Sequence, residues 1–407
     1  MGAGRERSLL KFSSRRCWPC GLLGMIALIF GVERTIARNA GKFTTHHASA
    51  WERSGAAAPI AAKCEVVAFG DSLVKHAVIP GVLEERSGFK AYNLAIPKGV
   101  FPAHTALLEQ ILRAGARPSA VLVDGEMLGE DPLATLRVWS ELATPAESAS
   151  LALEAKAPDF LARALLARLL PSCKAREEVR SSIVKALEGT SPEEPTSLPV
   201  FLRNGKRNAG AHVLPSADLS QGDPRPAELE KSRYEPSVWV CHPVNAVYVH
   251  RFLSLALSRG IRVVWLLPPY HPDVQSRRQR FGWYEMYVKY LRGLQEAYPN
   301  LTVVDGRKAG YPAEVIADMT HLSRVGAIAY SHALGGLLGD IVATGPRWVE
   351  LPRYDAREAG ALAAASVVED IPESGRALNR VMAEVRRKRE EKLVRVGAAG
   401  SGEGRRR

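Results

Sequence analysis

The sequence that decides the fold is VVAFGDSL, which occupies residues 66–73. Four apolar residues run directly into Gly-Asp-Ser, and a helix-like sequence follows. This pattern predicts a buried strand that brings Ser72 to the carboxyl edge of a parallel sheet. Gly70 allows a tight backbone turn, and the amide groups after it begin a helix, where they can receive negative charge.

Strand and helix patterns alternate on both sides of this motif. Strands are predicted near residues 66–69, 91–94, 120–123, 261–267 and 301–305, with helices between them. Short connections of this kind, taken with right-handed crossovers, predict an α/β fold: a three-layer α/β/α sandwich around a five-stranded, mainly parallel sheet. The domain is expected in two parts, residues 64–131 and 241–345.

A long insertion separates the two parts of the domain. Residues 132–240 lose the alternation, contain the helical sequence FLARALLARLL at 160–170, and become rich in Pro, Gly and Ser after residue 189. A helical insertion with a long irregular segment is expected. It either shapes a substrate cleft at the edge of the sheet or forms a surface loop.

The N-terminal region has the pattern of a membrane-targeting segment. A basic flank at 1–16 precedes an apolar run at 17–33, whose uncharged part covers about sixteen residues. No cleavage pattern follows closely, so an uncleaved signal anchor is preferred to a cleaved signal peptide, with the rest of the chain outside the cytoplasm. Cleavage would instead give a secreted protein. Residues 34–63 are predicted to be a spacer.

Charge is concentrated at the two ends of the chain. The net charge is +12, of which residues 1–16 carry about +4 and residues 376–407 about +7. A nearly neutral middle argues against a nucleic-acid partner and favours contact of the ends with a membrane or an anionic polymer. Residues 346–407 are predicted to be a basic tail. The five cysteines and ten histidines show no zinc-site spacing, so no metal or cofactor is expected.

Asp318 and His321 complete a possible catalytic group with Ser72. A serine hydroxyl needs a base to accept its proton, and that base needs a carboxylate to orient it. The spacing of three residues lets Asp318 reach Nδ1 of His321 and leaves Nε2 free for the serine. Because the last loop and the end of the first strand lie at the same edge of an open parallel sheet, His321 is predicted to meet Ser72.

These motifs resemble those of the SGNH, or GDSL, hydrolase superfamily. GDSL at 70–73 is similar to its nucleophile block, and DMTHL at 318–322 to its last block. The sequence NLAIPKG at 93–99 resembles the second block. The resemblance implies a flavodoxin-like sandwich in which the amides of Ser72 and Gly99 form the oxyanion hole.

The third block departs from the family pattern of Gly-x-Asn-Asp. GEML occupies residues 125–128, so that Met127 stands where the family has its oxyanion asparagine. Loss of one such donor costs about 10²–10³ in rate. Such a loss lowers the rate without abolishing catalysis. The expected function is still a serine esterase acting on an ester, such as an O-acyl group of an envelope carbohydrate. The alternatives are a carbohydrate O-acyltransferase and a non-catalytic binding or scaffold protein.

Overall fold

The core of the fold is a sheet of six parallel strands. The computed structural model describes residues 18–39, 50–130, 140, 144–189, 197–217, 219, 223, 225 and 239–402. The strand order is β2-β1-β3-β4-β5-β6. The strands are β1 (Val66–Ala68), β2 (Ala91–Asn93), β3 (Ala120–Val123), β4 (Arg262–Leu267), β5 (Leu301–Asp305) and β6 (Trp348–Glu350).

Helices cover both faces of this sheet and extend beyond it. In the described part of the chain they are α1 (Trp18–Arg38), α2 (Ala50–Ala61), α3 (Ser72–Ala77), α4 (Pro80–Ser87), α5 (Phe101–Arg113), α6 (Pro145–Glu154), α7 (Pro158–Leu169), α8 (Pro171–Lys174), α9 (Arg176–Leu187), α10 (Ser197–Arg207), α11 (Pro243–Ser258), α12 (Pro272–Arg280), α13 (Trp283–Ala297), α14 (Arg324–Ala343), α15 (Ala356–Ala365) and α16 (Ile371–Gly402).

Side chains of each strand alternate between two cores, as the period of two requires. Val67 and Phe69 pack with α5, α11 and α13 on one face. Val66 and Ala68 pack with α4 and α14 on the other. The three-layer α/β/α sandwich predicted from the sequence is therefore confirmed.

The predicted number of strands is wrong by one. β6 pairs with β5 in parallel, with Val303 opposite Trp348. It lies inside the segment predicted to be a tail, and Leu351 and Ala363 beyond it are buried in the core. This strand has only three residues, follows the charged Arg347 and ends in the charged Glu350. Its apolar pattern is too short to be recognised without its partner strand.

Two other predicted boundaries also change. The expected spacer contains α2, whose Ala58 and Ala61 are buried in the core. The helix-like sequence after Gly-Asp-Ser forms two helices, α3 and α4, because Val78 and Ile79 are extended and Pro80 begins the second helix. The first of these changes adds residues to the folded unit.

Two apolar helices bear on the predicted membrane anchor. Among the described helices, α14 alone meets the length and composition expected of a membrane span, and half of it is buried. Helix α14 packs against the sheet. A buried core helix has the same length and apolar composition as a membrane span, so these two properties do not make α14 a span. The predicted N-terminal anchor corresponds to α1, which has 21 residues and exposed side chains such as Leu23 and Phe30. The basic flank at 1–16 lies outside the described residues.

The described part of the insertion is mainly helical, as expected, and it reaches the edge of the sheet. The N–H of Asn93, in the edge strand β2, donates to the carbonyl of Ala209 at 3.0 Å. Gly210 adopts φ +95°, and a Cβ there would collide with the Asn93 carbonyl. The insertion therefore lies directly against β2.

Candidate active site

The nucleophile turn connects β1 to α3. Gly70 has φ +143°, and a Cβ at this position would lie 2.7 Å from Val74 Cγ2 and 2.9 Å from Asp124 Oδ1. Only glycine fits such a backbone. The Asp71 carboxylate then accepts the Leu73 N–H at 2.7 Å and caps α3. Ser72 is thereby fixed as the first residue of the helix.

The loop that carries His321 is closed by its own backbone. The N–H of Ala317 donates to the His321 carbonyl at 2.7 Å. Inside the loop, Asp318 Oδ1 accepts the N–H groups of Thr320 and His321 at 2.7 and 2.9 Å. The carboxylate is thus held beside the imidazole before any substrate is present.

Three predicted residues come together in one hydrogen-bonded series. His321 Nδ1 lies 2.7 Å from Asp318 Oδ2, and His321 Nε2 lies 2.8 Å from Ser72 Oγ. The acceptor-only carboxylate fixes the proton on Nδ1, so that Nε2 accepts the serine hydroxyl. Burial alone would raise the pKa of Asp318, but hydrogen bonds from the His321 ring and from two amides lower it well below its ordinary value. The carboxylate therefore stays ionised.

Arg225, from the insertion, forms hydrogen bonds with backbone carbonyls of the loop that carries Asp318 and His321. Its guanidinium donates through Nη1 to the carbonyls of Ile316 at 2.5 Å and Ala313 at 3.2 Å. The same nitrogen lies 3.4 Å from the Asp318 carbonyl. Asp223 pairs with this arginine through two oxygens, at 2.6 and 2.7 Å. A buried arginine that holds three carbonyls fixes the loop path, and sequence patterns gave no indication of it because residues 189–236 have no period.

His76 stands behind the catalytic imidazole. Its Nδ1–H donates to the His212 carbonyl at 2.8 Å, and its ring meets the His321 ring edge-on at 5.0 Å. Burial, together with the neighbouring His321, lowers the pKa of His76 to about 3. A neutral, buried His76 packs against His321 without competing for its proton.

Asp71 and Asp124 form a buried carboxyl pair under the nucleophile turn. The Asp71 N–H donates to Asp124 Oδ1 at 3.2 Å. Burial raises the pKa of both carboxyl groups, and the charge of Asp71 raises the pKa of Asp124 further. Burial and the Asp71 charge thus both favour the protonated form of Asp124. In that form it carries no negative charge to oppose a developing oxyanion.

Glu126 lies in the third block, which differs from the family pattern, and its negative charge is balanced by an ion pair. Its carboxylate forms an ion pair with Arg278 and accepts the Tyr270 hydroxyl at 2.6 Å. The guanidinium of Arg278 also stacks on the rings of Tyr270 and Trp283. Arg278 and Tyr270 thus hold this loop through a network that its sequence position alone did not suggest.

Met127 does not replace the missing amide donor. The side chain amide of Asn245 donates to the carbonyls of Met127, Leu128 and Glu130 at 3.2, 3.0 and 3.1 Å. Asn245 therefore fixes the backbone of the third block from α11 and is itself buried. This amide is committed to the loop and is not the oxyanion donor.

Gly99 lies where the second block predicts it, but its amide is already bonded. Its N–H donates to the Ile96 carbonyl at 2.7 Å. A Cβ on Gly99 would lie 2.9 Å from the Gly70 carbonyl and 3.0 Å from His104 Nε2, so the loop touches the nucleophile turn. In this geometry the Gly99 amide is not free for an oxyanion, contrary to the prediction. The Ser72 amide begins α3, where helix N–H groups have no intrahelical acceptor.

Two comparisons with known proteins found no match. No family model matches the chain. No curated protein matches it either. The grouping of Ser72, His321 and Asp318 therefore rests on the coordinates of these residues and on the motifs that carry them.

Proposed function

We propose that the protein is a serine esterase of the SGNH type that acts through Ser72, His321 and Asp318. The observation that carries this proposal is the continuous series from Ser72 Oγ to His321 Nε2 at 2.8 Å and from His321 Nδ1 to Asp318 at 2.7 Å. These distances lie within hydrogen-bond reach, as a nucleophile and its base require. A buried structural serine would not need a base oriented in this way.

The proposed reaction has two acyl-transfer steps. His321 Nε2 takes the Ser72 proton as Oγ attacks the carbonyl carbon of the ester, and the proton is then given to the departing alcohol. A water molecule, activated by the same nitrogen, releases the acid and restores Ser72. Asp318 keeps the imidazole in the required tautomer and stabilises its cationic form. The Ser72 amide is the oxyanion donor that this chain supplies most directly, and Gly99 would add a second only if its loop rearranged.

The proposed substrate is an ester such as an O-acyl group on an envelope carbohydrate. The same acyl-enzyme could transfer its acyl group to a sugar hydroxyl, which would make the protein an O-acyltransferase. Acetyl release from an acetylated sugar, measured with and without an unacetylated sugar acceptor, separates these reactions. Hydrolysis gives free acetate in both cases, whereas transfer consumes the acceptor.

We propose that α1 anchors this domain to a membrane, with the domain on the extracytoplasmic side. The uncharged part of this helix, residues 18–32, is about 22 Å long at 1.5 Å per residue, so the bilayer would thin around it and the charged side chains that follow would lie at the interface. Ser172 N–H donates to Glu33 at 2.8 Å, so the polar end of α1 is held by α8. Alkaline extraction of membranes tests the anchor: an anchored chain stays with the membrane pellet.

Labelling with a fluorophosphonate probe tests the enzyme function. Attack of Ser72 Oγ on phosphorus would expel fluoride and leave a covalent adduct, whose position is read by peptide mapping. Full-length wild type should be labelled at Ser72, and Ser72→Ala should not be labelled. Ser258→Ala, which removes an exposed serine at the end of α11, is the matched control and should react like wild type.

A second candidate is a binding protein that retains the fold without the reaction. Two observations favour it: the Gly99 N–H is bonded to Ile96, and Met127 supplies no side-chain donor. The same labelling experiment decides between the candidates. If wild type is labelled no faster than Ser72→Ala, the esterase proposal fails and binding without catalysis is the better account.

A further inference from the structure

A second site is indicated beside the edge strand β2. A cavity of about 480 Å³ lies between α2, β2 and α10, and Lys75 of α3 forms part of its wall. This volume lies in the range of small-molecule sites. None of the catalytic residues lines it, so the cavity is distinct from the proposed active site.

The wall of the cavity carries a strong excess of positive charge. Among the described residues that line it, the basic ones are Arg53, Lys75, Lys90 and Lys206, and the acidic one is Glu84. Clustered charges of one sign in a concave site raise the local concentration of ions of the other sign. The cavity therefore favours an anion.

Lys75 is the member of this set that most needs a partner. Its side chain is buried, with 5% of its surface exposed. Among the residues that the structure describes, none forms a hydrogen bond or ion pair with its amine. Burial and, to a smaller extent, the charge of Arg53 lower the pKa of Lys75 to about 7. A buried charge is costly unless it is paired, so a bound anion would supply what the chain does not.

Most of the remaining wall is apolar or aromatic. Tyr92, Leu94, Phe201 and Ile60 line it together with the backbone at Gly210. An inorganic ion alone would leave these surfaces uncovered. We propose that this cavity binds a small organic anion, a carboxylate or a phosphate monoester, whose negative group pairs with Lys75 and whose apolar part packs against Tyr92 and Phe201.

The cavity is connected to the proposed active site through two short contacts. The His212 N–H donates to the Lys75 carbonyl at 3.0 Å, and the His212 carbonyl accepts Nδ1–H of His76 at 2.8 Å. His76 in turn packs against His321. The cavity and the triad thus share α3. Binding does not use the Ser72 hydroxyl, so this proposal stands or fails independently of the proposed reaction.

Calorimetric titration of the full-length protein in detergent tests the site. The probes are phenyl phosphate and benzoate, with benzyl alcohol as the neutral control. We expect saturable binding of at least one anion, no binding of benzyl alcohol, and affinity at least 10-fold weaker in Lys75→Met. The two anions distinguish the phosphate from the carboxylate head group. Ser72→Ala and the exposed Lys289→Met should bind like wild type.

The number of protons taken up on binding, measured in the same calorimetric titration, is a second test of the site. The charged groups around the cavity are Arg53 of α2, Glu84 of α4, Lys90 and Lys206 of α10, and the imidazole rings of the neutral His76 and of His212 adjoin Lys75. Since an anion favours the charged amine, binding at pH 8 should take up close to one proton in wild type, as seen by comparing buffers of different ionisation enthalpy. In Lys75→Met the uptake should disappear.

Alkylation of Cys64 locates the bound probe. This free thiol lines the cavity, whereas Cys173 and Cys241 do not. The anion that binds should slow reaction of Cys64 with N-ethylmaleimide, followed by peptide mapping, and leave Cys173 unchanged. Lys206→Ala, an exposed change at the cavity wall, should weaken binding several-fold without affecting folding. The proposal is overturned if neither anion binds, if Cys64 is not protected, or if Lys75→Met and Lys206→Ala bind like wild type.

Discussion

The short helix α3 places two regions of different character within one turn of each other. On the side of Ser72, every polar side-chain atom of the triad has a partner inside the chain, from the hydroxyl to the carboxylate. On the side of Lys75, a buried amine faces a cavity with other cations and has no partner among the described residues. The first region is complete in itself, whereas the second is complete only with a ligand. A set of bonded groups can move a proton, and an unpaired cation can recognise an anion.

The largest expected effect tests the completeness of the triad. His321→Ala leaves Ser72 without a base, so the rate of fluorophosphonate labelling should fall by about 10³ or more. His332→Ala, which removes a half-buried histidine of α14, should keep the wild-type rate. Equal labelling rates in His321→Ala and wild type would show that the serine reacts without the imidazole, and the contrast between the two regions would be lost.

The next effect measures what the unpaired amine costs the fold. The pKa of Lys75 is about 7 in the folded chain, against an ordinary value of 10.5, so folding releases a proton between these pH values. The stability of wild type should therefore rise as the pH increases from 7 to 10. Lys75→Met should raise the free energy of unfolding by about 2–4 kcal/mol at pH 7 and remove this rise. Urea unfolding at several pH values measures both. A less stable Lys75→Met would mean that the amine is paired.

A smaller effect is expected from Arg225, which positions the Asp318 loop. Arg225→Met removes three hydrogen bonds to loop carbonyls, so the labelling rate should fall about 10-fold as the triad loosens. Arg225→Lys should recover part of the rate, since one ammonium can still reach a carbonyl. Arg280→Met, a change at an exposed arginine of α12, serves as the control. An unchanged rate in Arg225→Met would show that the loop holds its geometry alone.

The smallest effect concerns the carboxyl pair under Ser72. Burial raises the pKa of Asp124 in the folded chain, so wild type should lose stability as the pH rises from about 4 through that raised pKa. Asp124→Asn keeps an acceptor for the Asp71 N–H and carries no charge. Its stability should not fall over this range, so its advantage over wild type in free energy of unfolding should grow by about 1 kcal/mol or more between pH 5 and pH 8. The difference between the two unfolding curves is the measurement, and a difference independent of pH would contradict the assignment.

Local patterns were sufficient to predict the sheet and the triad. The bounds of β3 and β5 agree with the predicted strands, because these are apolar runs bounded by polar residues and buried on both faces. Ser72 and His321 could be paired from sequence, since both follow elements that end at the same edge of a parallel sheet. Proximity of this kind follows from topology and needs no knowledge of side chains.

Features that depend on distant contacts could not be predicted. β6 is defined by its pairing with β5, and Arg225 by carbonyls about 90 residues away along the chain. The bond from the Gly99 N–H to Ile96 is local, but it depends on the exact turn of the loop and not on residue type. The cavity at Lys75 requires α2 and α10 to meet at β2, which no periodicity encodes. Each of these needs the assembled fold.

The contact of the insertion with β2 has a consequence for how the chain is made. An uncovered edge strand presents unpaired amides and carbonyls that can pair with another molecule. Here residues 209 and 210 cover that edge, with the Asn93 N–H bonded to Ala209. During synthesis, β1, β2 and β3 leave the ribosome well before residue 210. We therefore expect a nascent chain that stops between residues 131 and 209 to self-associate through β2, and the insertion to end that exposure once it is complete.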